Sequence, residues 1–343
     1  MGRTFYGLLA VVAAWTLLGS PMGALAEGGD THRAAVSVDA VKLPAVPGHV
    51  NAVAALDGGR VLVSIAQGTS SWLKVIDVTT GRTIRATAAG QAVALHVSAD
   101  GRTFLAAGKT IEIRRISDLG LLHRFRVGRP YSAIGVSSSL DRIAVGRILP
   151  GDLKGQVAVY NTTTGRRVWA RRTTFVDSLA FTSDSGLVYC GCPWQASLMD
   201  ARTGRTVASE ILGEEGGSAY GVAALPDGRL AVGGGRPEDE GFLMLITPSA
   251  RPVVKTLSND EIRRISVARR GGIFVVYGGG YNEHGEPVGG ENLWVRSAAD
   301  GKVLGSVPLA EGLDQLAVTP DGSVVAGTTR KAGRLVVWQI TAK

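Results

Sequence analysis

One pattern recurs along this chain at a nearly constant period, and it limits the fold more than any other feature. A short apolar run passes through a small polar pair into Asp-Gly or a substitute, then into a second apolar run. It reads AVAALDGGRVLVS (Ala52–Ser64), ALHVSADGRTFLAAG (Ala94–Gly108), AIGVSSSLDRIAVG (Ala133–Gly146) and LAFTSDSGLVYCG (Leu179–Gly191). VAALPDGRLAVGG (Val222–Gly234), ISVARRGGIFVVYGG (Ile265–Gly279) and LAVTPDGSVVAG (Leu316–Gly327) continue it. The turn positions Asp57, Asp100, Asp141, Asp184, Asp227, Arg270 and Asp321 are 43, 41, 43, 43, 43 and 51 residues apart, the long step absorbing an insertion at Gly278–Glu291. Asp-Gly between alternating apolar runs is the strongest short hairpin signal, since two-residue primed turns need positive φ.

Each unit carries a third apolar run and a second turn, as in LKVIDVTTGR (Leu73–Arg82), VAVYNTTTGR (Val157–Arg166) and LWVRSAADGK (Leu293–Lys302). A fourth, more polar run follows. Four short strands with two tight turns, repeated at this period, describe a propeller blade. Composition agrees: 47 glycines in 343 residues suit many turns and short strands.

The first 26 residues are set apart. Arg3 precedes the apolar run Gly7–Gly19, Pro21 breaks it, and Ala24-Leu25-Ala26 offers the small residues of a cleavage site before Glu27. The run of 13 is short for a bilayer span, so residues 1–26 read as a secretory signal peptide. The expected exported chain is 27–343, with no later membrane span. Its 317 residues accommodate seven blades and little else. The last unit ends at LVVWQI (Leu335–Ile340) without a fourth strand, while AAVSVDAVKL (Ala34–Leu43) is a spare strand at the other end. The expected fold is therefore all-β: a seven-bladed β-propeller of four-stranded blades, closed by residues 34–43 completing the last blade.

The units resemble a divergent WD-repeat propeller, or the related bacterial repeat propellers that include lactonase-like and quinoprotein-like members. Gly48-His49 followed by Val75-Ile76-Asp77 approaches the Gly-His…Trp-Asp frame, and Trp338 stands at the Trp position with Gln339 in place of Asp. A lactonase resemblance implies charged and His residues converging on the channel, for which His49, His96, Asp177 and Asp314 qualify. A quinoprotein resemblance implies a Trp late in each repeat, and Trp169 alone fits.

In an up-and-down blade the short turns lie on one face. Second-to-third strand links and blade-to-blade links lie on the other. The irregular length falls in the second set: Arg147–Gln156, Gly235–Phe242, Gly279–Asn292, Arg126–Tyr131, Ala170–Phe175 and Leu212–Tyr220. Loops on a rigid scaffold carry function, and Arg and Tyr most often carry interface energy. Arg129, Tyr131, Arg171, Arg172, Tyr220, Arg263 and Arg264 are therefore the candidate partner-binding residues. Glu214, Glu215, Asp260 and Glu261 among them make the surface mixed in sign.

Other chemistry is sparse. His284 with Glu283 and Glu286 under-determines a metal site, and consecutive Glu238, Asp239 and Glu240 diverge, so no metal is expected. Cys190 and Cys192 share a strand face and are either bridged, given a bend at Gly191, or free thiols. No G-x-S-x-G elbow, His-Glu-x-x-His or phosphate loop occurs. The net charge of +8 is spread rather than clustered with aromatics, which argues against nucleic acid. The expectation is an exported, monomeric, non-catalytic binding or scaffold protein without cofactor, for a protein or cell-envelope polymer. A channel-mouth hydrolase of lactonase type and a quinoprotein-like dehydrogenase subunit are the alternatives.

Overall fold

A computed structural model describes residues 36–128, 131–150, 154–192, 195–211, 217–235, 241–249, 252–258, 261–279 and 290–342. These residues form 28 strands in seven four-stranded antiparallel sheets. Strand β1 (Val36–Val41) stands apart from its neighbours in sequence. Blade 1 is β2 (His49–Leu56), β3 (Arg60–Gln67), β4 (Ser70–Asp77) and β5 (Thr83–Ala88). Blade 2 is β6 (Ala92–Val97), β7 (Thr103–Gly108), β8 (Ile111–Arg115) and β9 (Leu121–Phe125). Blade 3 is β10 (Ala133–Val136), β11 (Arg142–Ile148), β12 (Gly155–Asn161) and β13 (Arg167–Thr173). Blade 4 is β14 (Ser178–Phe181), β15 (Leu187–Cys192), β16 (Gln195–Asp200) and β17 (Thr206–Ile211). Blade 5 is β18 (Ser218–Ala224), β19 (Leu230–Gly235), β20 (Gly241–Ile246) and β21 (Pro252–Ser258). Blade 6 is β22 (Glu261–Val267), β23 (Ile273–Gly279), β24 (Glu291–Ser297) and β25 (Val303–Leu309). Blade 7 is β26 (Leu313–Val318), β27 (Val324–Thr329) and β28 (Leu335–Ala342), with β1 as its outer strand. The propeller expected from the repeat is the fold observed.

Burial follows the position of each strand within its blade. The second strand of blade 1 is almost wholly buried, whereas its fourth, β5, is exposed along nearly its whole length. The apolar residues gather into seven clusters, each spanning two neighbouring blades. Val53, Ile65 and Val78 of blade 1 pack on Ala317, Val324 and Val337 of blade 7, so the first and last units share a core like any other pair. Burial at about 25 cal/mol per Å² makes these interfaces the main favourable term.

In blades 2, 3, 4 and 7 the turn after the inner strand is held by its own polar groups. Ser98 Oγ donates to Asp100 Oδ1 at 2.6 Å while Thr103 N–H donates back to Ser98 Oγ at 3.0 Å. Ser137 with Asp141 (2.7 Å), Thr182 with Asp184 (2.5 Å) and Thr319 with Asp321 (2.6 Å) repeat the clamp. These hydroxyls, and then the backbone N–H groups of Arg102 and Gly186, hold the Asp100 and Asp184 carboxyls below the usual range. The blade 2 hairpin is longer than the two-residue turn that Asp-Gly suggests, because Ser98 N–H bonds Thr103 O and Gly101 N–H bonds Ser98 O. Positive φ is still required there: Gly101 (68°), Gly228 (89°) and Gly322 (82°) supply it, as do Leu140 (58°) and Ser185 (59°).

Closure rests on β1 against β28, in antiparallel register from Val36↔Ala342 to Val41↔Val337. Ser37 Oγ and Thr341 Oγ1 meet across it at 2.5 Å. The double variant Ser37→Cys with Thr341→Cys is therefore expected to form an intrachain disulfide on mild oxidation. Joining the two ends of the ring should stabilise it by roughly 3–5 kcal/mol. Non-reducing mass analysis and the thermal midpoint with and without reductant check this; a midpoint indifferent to reductant would contradict closure through these strands.

Candidate functional site

All inner strands run the same way, so their first residues share one rim of the central channel and their last residues the other. At the rim of first residues, three consecutive inner strands, β18, β22 and β26, surround a pocket of about 260 Å³. Tyr220, Glu261, Arg263, Arg264, Leu313 and Arg330 line it. Three of the seven sequence candidates, Tyr220, Arg263 and Arg264, thus come together.

The pocket is a network of opposite charges. Arg263 Nη2 lies 2.6 Å from Glu261 Oε2. Arg264 is reached by solvent yet walled by protein on most sides, as a channel-rim residue is. Its Nε donates to Asp314 O and its Nη1 to Arg263 O, both at 2.9 Å. Burial lowers the Arg264 pKa, with Asp314 opposing and the Arg330 and Arg263 guanidinium groups adding to the fall. Arg330 reaches Asp314 Oδ1 at 3.6 Å and donates to the Tyr277 hydroxyl at 3.4 Å. Burial, then the Glu261 carboxylate, pushes the Tyr220 hydroxyl up. The result is a half-desolvated rim with guanidinium, carboxylate and phenol groups, suited to polar side chains of both signs.

The remaining candidates lie elsewhere. Tyr131 is half-buried, and its hydroxyl donates to Gly108 O of the preceding blade at 2.7 Å, joining blade 2 to blade 3. Arg171 and Arg172 are exposed on β13, the outer strand of blade 3. The segment read as a link from Ala170 belongs to that strand as far as Thr173, so these two arginines stand away from the channel rim. Arg129 lies outside the described residues, as do Glu214, Glu215, Asp260, Glu238, Asp239, Glu240, Tyr281, Glu283, His284 and Glu286. Arg330 was missed by sequence reasoning. Its signal is the basic stretch Arg330-Lys331 between β27 and β28, a second-to-third strand link on the loop-rich face.

The four residues of the lactonase reading do not meet among the described residues. His96 lines the channel near the end of β6, and Asp177 precedes β14 at the opposite rim. Asp314 faces Arg330, and the His49 ring lies against Gly333. Trp169, the residue of the quinoprotein reading, is buried and donates Nε1–H to Ala201 O at 2.9 Å, sealing blade 3 to blade 4. The channel itself encloses about 540 Å³, lined largely by Ala54, Ala94, Gly135, Ala180, Ala223 and Ala317 and backbone. Arg269 crosses it from blade 6, donating Nη2–H to Val97 O of blade 2 at 2.8 Å. Small walls are what convergence of seven sheets demands, so this space follows from the fold. The polar rim does not.

The Cys pair sits between blades 3 and 4. Both residues are buried, and their sulfurs stand 3.4 Å apart as two thiols. Gly191 keeps regular strand pairing on both sides, to Ser178 and to Ala196, rather than a bend.

Compared with known proteins, the chain matches no family model, and no curated sequence matches it significantly. Solved structures do resemble it. One is the β-propeller domain of Cps50 (Swd1) from Myceliophteria thermophila, similar over 89% of this chain and 100% of that one, with a TM-score of 0.66 and 14% identity. The likeness is one of fold.

Two half-buried groups, His96 and Asp177, predict an unusual pH profile. Burial, then Arg269, lowers the His96 pKa from 6.5 to about 4. Burial raises Asp177 from 3.8 to about 6, with the Ser218 hydroxyl opposing. Between pH 6.5 and 4 the unfolded chain binds a proton at His96 that the folded chain refuses, so acidification destabilises. Between pH 6 and 3.8 the folded chain keeps a proton on Asp177 that the unfolded chain has lost, so acidification stabilises. The two slopes oppose each other in the native protein. Asp177→Asn should therefore steepen the fall in thermal midpoint between pH 6 and 4, and His96→Gln should flatten it. After screening of the part-exposed Asp177, its effect should be about 1 kcal/mol, or roughly 2–4 °C. Superimposable profiles for the three proteins would refute the assignment.

Proposed function

We propose that this propeller is an exported, monomeric, non-catalytic binding protein that offers its loop-rich channel rim to a protein or cell-envelope polymer. The observation that carries the reading is the convergence of Tyr220, Arg263, Arg264 and Arg330, from blades 5, 6 and 7, on one pocket beside the channel. A closed ring fixes these groups in place before binding, so little ordering entropy is lost on contact. Arg and Tyr in such a setting supply large contact area and charge-assisted hydrogen bonds. The mixed sign of the rim favours a partner with both acidic and basic groups over a uniform polyanion, which also speaks against nucleic acid. Export follows from the reading of residues 1–26 as a signal peptide; an N-terminus starting at Glu27 in the secreted or envelope fraction would support it.

Site-directed photo-crosslinking tests the rim directly. A photoreactive residue at position 220 or 264 is expected to capture one defined partner from the envelope fraction. The same probe at Thr203, an exposed turn on the other face, should not. Tyr220→Ala combined with Arg264→Ala should weaken binding of that partner at least tenfold while leaving the thermal midpoint within a few degrees. Equal capture from both faces, or undiminished binding by the double variant, would overturn the proposal.

A further inference from the structure

The sequence Cys190-Gly191-Cys192 ends β15, and the geometry of that strand separates its three side-chain positions sharply. Alternation sends both cysteines to one face, where they join Val159, Trp169 and Val176 in the core between blades 3 and 4. Gly191 points to the other face, against blade 5. A Cβ there would collide with Ser178 Oγ and come within 3.0 Å of Ala219 O, so a larger residue between the thiols would have to displace Ser178. The cysteine sulfurs are left 3.4 Å apart with no side chain between them.

We infer that Cys190 and Cys192 form a redox-active dithiol that closes reversibly to an intrachain disulfide when a small-molecule disulfide is the oxidant. The distances support closure. Residues two apart on a strand have Cα atoms about 6.4–6.8 Å apart, the upper end of what a disulfide spans. The sulfurs need to approach by only a little over an ångström, by side-chain rotation on a strand whose pairing is regular. A bridge held at the limit of its span is strained, and strained bridges are readily reduced. The pair is thus suited to a labile, exchangeable bond rather than to a structural staple.

The two sulfurs have different roles. Cys192 is the last residue of β15 and is 4% exposed, against 0% for Cys190. The hydrogen bond with Cys190, then the hydroxyls of Thr173 and Thr174, hold the Cys192 thiol down at about 6, while its partner's thiol is pushed up. Cys192 is therefore the attacking thiolate and Cys190 the resolving thiol. In the first step the Cys192 sulfur displaces RS⁻ from RS–SR and forms a mixed disulfide. In the second, the Cys190 sulfur attacks Cys192, the Sγ–Sγ bond forms, and the second RS⁻ leaves. The two thiol protons end on the two leaving groups as 2 RSH; the dithiol gives up two electrons and the reagent takes them. Within blade 4, Asp177 N–H donates to Gly191 O at 2.9 Å, and the next residue, Ser178, donates Oγ–H to Ala219 O of blade 5 at 2.6 Å, next to Tyr220.

The test treats the folded, reduced full chain with bis(2-hydroxyethyl) disulfide near neutral pH, followed by thiol alkylation and intact-mass measurement. The wild type should lose both thiols, retain no reagent adduct, stay monomeric and regain both thiols in dithiothreitol. Cys190→Ser should hold one reagent half on Cys192. Cys192→Ser should react at least tenfold more slowly than Cys190→Ser, both variants being first shown to keep the wild-type thermal transition to within a few degrees. Three results would each overturn the inference: two thiols retained by the folded wild type while the guanidinium-unfolded chain reacts, stable adducts on both cysteines, or equal rates for the two serine variants.

Discussion

The antiparallel pairing of β1 with β28 is the interaction on which the rest of this molecule depends. Seven wedge-like sheets arranged about an axis leave two raw edges unless the first and last are joined. Without β1, blade 7 would be three strands with β28 as an open edge carrying Val336, Val337, Trp338 and Ile340, a template for pairing with another chain. With β1 in place the blade has four strands like its fellows, and the apolar cluster between blades 7 and 1 becomes equivalent to the other six. Each interface then supports the next around the circle.

The two rims of the channel differ because their polar groups are employed differently. At the rim of the inner-strand ends, Ser or Thr and Asp bond within their own turn, as in Ser98–Asp100 and Thr319–Asp321. Other side chains at that rim also reach between blades, Arg229 of blade 5 to the Ala298 carbonyl of blade 6 and Arg269 of blade 6 across the channel to the Val97 carbonyl of blade 2. At the opposite rim the polar side chains reach between blades: Arg264 of blade 6 to the Asp314 carbonyl of blade 7, and Arg330 of blade 7 to the Tyr277 hydroxyl of blade 6. Such groups hold charge at solvent-reachable positions. What separates the rims is the hydroxyl–carboxylate turn, which the inner-strand ends carry in blades 2, 3, 4 and 7.

The period, the number of blades and the completing strand could be read directly, because two tight turns per blade punctuate the sequence with Gly, Asp and Thr. The role of the hydroxyl before each Asp was not legible from spacing alone: Ser98 and Thr182 act through a bond to the carboxylate, which sequence shows only as a polar pair. Leu140 and Ser185 likewise occupy left-handed positions that glycine fills in other blades. At the rim, Tyr220, Arg263 and Arg264 could be named because they are Arg and Tyr on the face that carries the irregular links. Arg171 and Arg172 read as rim residues because a polar outer strand looks like a loop when Trp169 and the half-buried Ala170 are its contributions to the apolar clusters. Tyr131 reads as a contact residue, and its hydroxyl also joins blade 2 to blade 3, a use of tyrosine that no local pattern reveals.

Closure and the candidate site are not independent. Blade 7 supplies Leu313, Asp314 and Arg330 to the rim, and Arg330 immediately follows β27, whose only outer support is β28 and, beyond it, β1. Arg330 N–H donates to Gly312 O, and Glu311 Oε1 accepts the backbone N–H of Lys331 at 2.8 Å and of Ala332 at 3.0 Å, so the link bearing this arginine is fastened to the start of β26. The pocket thus takes Leu313 and Arg330 from the blade that the β1–β28 pairing completes.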